Sequence, residues 1–142
     1  MSIFFHSFPA KKEIPGKAAI KKWIKEIISD SDKKIGDINI IFVTDKELLE
    51  INQKYLNHSY YTDIITFNYN TQRKISGDIY ISLERIMENS FKYQCSLSSE
   101  VLRVIIHGIL HLLGFNDKTK EQKSIMKKTE DDALRKFPNI IV

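Results

Sequence analysis

Cysteine is almost missing from this 142-residue chain: Cys95 stands alone. No internal disulfide can form, and stability must come from packing. Proline and glycine are also sparse, at three and five residues, and no repeat, low-complexity tract or linker interrupts the chain. One domain spanning residues 1–142 is therefore expected. No apolar run approaches the ~20 residues that a membrane helix requires. No basic segment followed by a long apolar stretch opens the chain, so no signal peptide is read. Together with the lone thiol, this leads us to expect a cytoplasmic protein with no membrane partner. Cys95 itself reads as a packing residue. A large charge excess is lacking too: Lys and Arg total 22 against 18 Asp and Glu, for a net charge of +4 and a pI near 9.1. That mild basicity is compatible with a nucleic-acid partner and demands none. The lysines gather at Lys11–Lys12, Lys21–Lys22, Lys33–Lys34 and between Lys118 and Lys128. Each cluster taken singly reads as a solvated helix face or turn.

What the chain does have is apolar periodicity. Residues 2–6 read as a short strand. After Pro15-Gly16, residues Ile20, Trp23, Ile24, Ile27 and Ile28 recur at helical spacing, with lysines on the other face. Asp37–Val43 alternates and is β-branched, the pattern of a strand. Thr44 and Glu47 form a capping box, opening a helix predicted to turn Leu48, Leu49, Ile51 and Tyr55 inward. Asp63–Asn68 and Gly77–Ser82 read as strands joined by a polar loop around Asn70–Lys74, and Leu83–Phe91 reads as a helix. Ser96 or Ser98 can cap the next helix, which is apolar almost all round and so should be the central, buried one. Thr119–Lys136 is a last amphipathic helix carrying Ile125, Met126 and Leu134, with Pro138 beyond its end. The predicted fold is α+β: a roughly four-stranded mixed sheet packed against about five helices.

The chemistry concentrates in one run, His107-Gly-Ile-Leu-His-Leu-Leu-Gly-Phe-Asn-Asp117. His107 and His111, four apart on a helix, project from one face and can share a metal ion. They sit within an apolar helix, where two imidazoles buried without partners would cost a few kcal/mol. Gly114 can turn the chain through a left-handed conformation and return Asp117 to the pair. Three protein ligands with a fourth position left for water is the pattern of a catalytic zinc. Other divalent ions compete for such a set in the Irving–Williams order. The two-histidine spacing is also that of metzincin zinc peptidases, in which Glu follows the first His. Here Gly108 stands in that place, and peptide hydrolysis lacks its base.

At these residues the chain resembles the YbeY family of bacterial rRNA-maturation endoribonucleases, whose hallmark reads His-Gly-x-Leu-His-Leu-x-Gly-Tyr-Asp-His. The match runs through Gly114, with Phe115 at the Tyr position. Upstream, Ile51-Asn52-x-x-Tyr55 resembles Leu-Asn-x-x-Tyr, and Thr62-Asp63-Ile-Ile-Thr-Phe67 resembles Thr-Asp-Val-Leu-Ser-Phe. Gly77-Asp78-Ile79 matches a Gly-Asp-Ile strand. Met126 and Glu130 correspond to a Met and a Glu of the last helix. Asn116 stands at the hallmark's Asp, and two further departures bear on the chemistry. Asp117 stands where the family has a His ligand, and Leu56 stands where it has an Arg.

The resemblance implies metal-dependent, single-strand-specific RNA cleavage in small-subunit rRNA maturation and ribosome quality control. It implies one zinc per chain, and rRNA with the ribosome or its small subunit as partners. His58 is a candidate for the missing cation, set against an ordinary exposed loop histidine. Asp63 and Asp78 are candidates to orient water or a ligand, set against strand-end capping. Tyr60 and Tyr61 are candidates to stack bases, set against simple packing. Two other readings share the metal: a zinc hydrolase of another substrate, such as a metzincin-like peptidase, and a ribosome-assembly binding protein whose zinc is structural.

Overall fold

The computed structural model describes residues 2–137, and Pro138 lies outside them. Four strands and five helices follow one another among these residues: β1 (Ile3–His6), α1 (Lys17–Ser29), β2 (Lys34–Val43), α2 (Asp45–Leu56), β3 (Ile64–Asn68), β4 (Lys74–Ser82), α3 (Leu83–Lys92), α4 (Leu97–Leu112) and α5 (Lys120–Arg135). The strands lie in the order β1-β2-β4-β3, with β1, β2 and β4 parallel and β3 antiparallel to β4. The fold is thus α+β with a mixed sheet, as the element order led us to expect.

Alternation decides which face each strand residue serves. In β4, Ile75, Gly77, Ile79 and Ile81 are buried, while Ser76, Asp78 and Tyr80 are only partly so. The buried set meets α4, whose residues are enclosed almost all round: eleven of its sixteen are buried. That burial leaves only a narrow, half-buried polar strip at Arg103, His107 and His111. The fit is close. A Cβ on Gly77 would lie 2.5 Å from the Phe67 carbonyl oxygen and 2.7 Å from Leu112 Cδ2, and one on Gly108 would lie 2.9 Å from Ile79 Cγ2. Only hydrogen fits at either place, so helix and sheet approach within the thickness of a methyl group.

Helix α1 buries the five residues its periodicity selected. Trp23 anchors it to α5, donating Nε1–H to the Ala133 carbonyl at 2.8 Å and meeting Phe137 edge-on. Both bonds of the Thr44–Glu47 capping box are present, and Ser96 caps α4.

Three expectations need correction. β2 and β4 each begin three residues earlier than their alternation suggests, because Lys34 and Ile35 pair with Lys74 and Ile75 across a bulge. Such pairing is not encoded locally. In α2 the buried residues are Leu48 and Asn52; Tyr55 is 61% exposed and meets Phe67 in a T-shaped pair. In α5 Ile125 is half exposed, while Met126 and Leu134 are buried. Periodicity shows which residues share a helix face but not how wide a stripe the neighbours cover.

Candidate metal centre

His107 and His111 project from the last two turns of α4. The helix closes at Leu113, and Gly114 adopts φ 102°, a conformation that other residues reach only with strain. The chain doubles back, and Asp117 faces the two histidines just before Thr119 caps α5. The three side chains offer one ligand atom each within a single small cluster. His107 Nε2 and His111 Nε2 lie 3.0 Å apart, and Asp117 Oδ2 lies 3.2 and 3.4 Å from them.

The outer nitrogens determine what the inner ones can do. His111 Nδ1 lies 3.0 Å from the Phe115 carbonyl, which can only accept, so Nδ1 carries the hydrogen and donates. His107 Nδ1 donates likewise to Glu130 Oε2 at 2.6 Å. In the neutral rings both Nε2 atoms are then bare lone pairs. They point at each other and at a carboxylate oxygen, which is repulsive unless a cation lies between them. Donors at about 2.0–2.2 Å from a tetrahedral ion stand roughly 3.3 Å apart, the spacing seen here. The residues present therefore fit a divalent metal ion, with space beside Asp117 for one further ligand.

Glu130 is held in turn. Its side chain is only 8% exposed, and its second oxygen accepts from Arg103 Nη1 at 3.0 Å. Arg103 also grips Asp131 at 2.7 Å. Sequence reasoning placed Glu130 only by resemblance and passed over Arg103. A signal existed: Arg103, His107 and His111 recur at four-residue intervals, so one helix face carries the whole relay.

Electrostatics favour a cation as well. Burial works against charging the His107 imidazole, but the Glu130 hydrogen bond and the Asp117 and Asp63 charges outweigh it and raise its pKa. Burial raises the pKa of Asp63, against the opposing pull of His107 and Arg85. Burial and the nearby Asp63 raise that of Glu100. Arg103 opposes that rise at Glu100.

The triad opens onto a cleft of about 410 Å3, walled by β3 on one side and by the α2–β3 loop on the other. Asp63 lines it, and so do His58, Leu56 and Tyr60. His58 stacks on Tyr60 with centroids 5.1 Å apart. Tyr61 instead lies under the Arg85 guanidinium, 5.3 Å away. Asp78 is not brought to the site. Strand alternation turns it to the opposite face of β4 from Ile79, where it accepts from Asn39 Nδ2 at 3.1 Å. A second cavity, of about 340 Å3, adjoins the first across His107 and Asp117 and is lined by Arg103, Lys123 and Lys127.

A sequence model described as Endoribonuclease YbeY matches residues 7–138. The chain belongs to the YbeY endoribonuclease family. A YbeY relative from Azobacteroides pseudotrichonymphae genomovar. CFP2 is 45% identical over 137 residues, covering 96% of this chain and 99% of that one. A second, from Parabacteroides distasonis, is 43% identical and covers 97% of each. Both are named Endoribonuclease YbeY. Among solved structures, that of TM1509 from Thermotoga maritima superposes with a TM-score of 0.65 at 26% identity, covering 94% of this chain and 89% of its own.

Proposed function

We propose that this chain is a zinc-dependent endoribonuclease that cuts single-stranded RNA, with rRNA of the small ribosomal subunit as its substrate in the cytoplasm. The observation that carries the metal reading is the convergence of two bare imidazole nitrogens and one carboxylate oxygen at the mouth of an open cleft. His107, His111 and Asp117 are the ligands in this reading. Zinc is favoured by the tetrahedral spacing and the imidazole donors. The bound ion supplies a Lewis acid that polarises a phosphate oxygen and acidifies water.

The remaining roles belong to the chain. Glu130 and the Phe115 carbonyl fix the imidazole tautomers. Asp63, more basic than an ordinary carboxylate because it is buried, takes the proton of the attacking water on its carboxylate. Among the described residues no Lys or Arg lines the main cleft. His58 is therefore its one group outside the triad able to carry positive charge, and it answers for the cation that Leu56 lacks. Lys123 and Lys127, which both line the second cavity, hold the phosphate backbone there.

A peptidase is disfavoured twice. Gly108 carries no base, and its Cβ position is already crowded by Ile79 and Ile64. Cleavage of a single-stranded RNA by wild type, His111→Ala and Asp117→Ala tests the reading. Loss in both variants is expected, and equal rates in all three would overturn it.

A further inference from the structure

β3 is an edge strand, bonded only to β4 among the described strands. Its register with β4 determines where its backbone groups point. The Ser82 amide bonds the Asp63 carbonyl at 3.0 Å, and the Tyr69 amide bonds the Ser76 carbonyl at 2.8 Å. Ladder bonds in an antiparallel pair fall on every second residue, so residues 63, 65, 67 and 69 face β4. Ile64, Thr66 and Asn68 must direct their N–H and C=O groups outward. These three also line the metal cleft. The Ile64 carbonyl already accepts from Thr62 Oγ1 at 3.3 Å. What remains is a short row of donors and acceptors centred on Thr66, alongside the triad.

We propose that this edge reads the Watson–Crick edge of an unpaired nucleobase, with Thr66 N–H and C=O as the paired donor and acceptor. The idea rests on the ribonuclease reading above and extends it to how the substrate is chosen. One observation favours a base over an added peptide strand. The facing wall carries the Tyr60 ring, held from behind by Asn52 Nδ2 on the Tyr60 carbonyl at 2.9 Å and by its hydroxyl against His58 Nδ1 at 3.0 Å. An exposed, braced aromatic ring is a stacking surface for a splayed base. The lack of Lys and Arg on this wall means that it contacts bases and leaves phosphates to the neighbouring cavity. Single-strand specificity then has a physical cause: in a duplex the Watson–Crick edge is already occupied.

The test compares cleavage of a uridine 12-mer with the same oligomer built from N3-methyluridine, using the intact metal-loaded protein. Methylation removes the N3 donor and leaves the backbone and the ring face in place. A KM at least about fivefold higher for the methylated RNA is expected, the equivalent of one net hydrogen bond. Thr66→Pro removes the outward N–H and spares the ladder, since proline is tolerated where an edge N–H faces outward. It should raise KM for uridine RNA by a similar factor and, because the Thr66 carbonyl is kept, leave the gap between the two RNAs in place. Equal KM values for the two RNAs with wild type would overturn the proposal and leave the edge to a peptide strand. Absence of cleavage of either RNA would overturn the ribonuclease reading itself.

Discussion

Glu130→Gln probes the relay behind the metal with little change of shape. The wild-type carboxylate accepts two bonds, from His107 Nδ1 and Arg103 Nη1. Glutamine offers one acceptor and one donor, so one partner must lose. If the amide NH2 faces His107, Nδ1 has to accept, the ring hydrogen moves to Nε2, and the lone pair meant for the metal disappears. If it faces Arg103, two donors oppose each other at a site 8% exposed. Substituting such a partner behind a metal-binding histidine weakens the metal by about 10–100-fold, or roughly 1.4–2.7 kcal/mol. The loss in the metal-free fold should be about 1–3 kcal/mol, one buried hydrogen-bonding group left unsatisfied. Arg103 keeps Asp131, and at a quarter exposed it is eased by water. Calorimetric titration of zinc into chelator-treated protein measures the first quantity, and denaturant unfolding of the metal-free protein measures the second. Zinc affinity within twofold of wild type would refute the tautomer argument.

Two other perturbations follow from the packing and the burial. Gly77→Ala drives a methyl against the Phe67 carbonyl and Leu112 and should cost about 1–3 kcal/mol through overpacking, read as a lowered urea midpoint. A midpoint at or above wild type would contradict the close fit of β4 on α4. Burial, reinforced by Glu100, raises the Cys95 pKa above the ordinary thiol value. A raised value keeps the thiol protonated, so alkylation by iodoacetamide should rise only at a higher pH than in the unfolded protein. Fast alkylation at pH 7 would contradict that environment.

Much of this architecture was legible because it is written locally. The five inward residues of α1, the capping box of α2 and the largely apolar α4 each announce themselves within one element. The convergence of His107, His111 and Asp117 was legible for the same reason: His107 and His111 share a helix face, and Gly114 sits where the chain must turn. Features that depend on pairing were not. The bulge that lengthens β2 and β4 needs the partner strand. Asp78 was placed among the candidates because nothing in Gly77-Asp78-Ile79 says which face meets α4. Glu130 lies twenty-three residues from His107, and only the crossing of α5 over α4 unites them. The outward-facing row of β3 appears only once its register with β4 is known.

The central claim is that His107, His111 and Asp117 hold the ion that makes RNA cleavage possible. Its most direct test is to strip the protein with a chelator and titrate zinc back while following cleavage of a single-stranded RNA. Activity should vanish on stripping and return linearly to a break at one zinc per chain, with no return in His107→Ala. Full activity in the stripped protein, or full recovery in His107→Ala, would contradict the account.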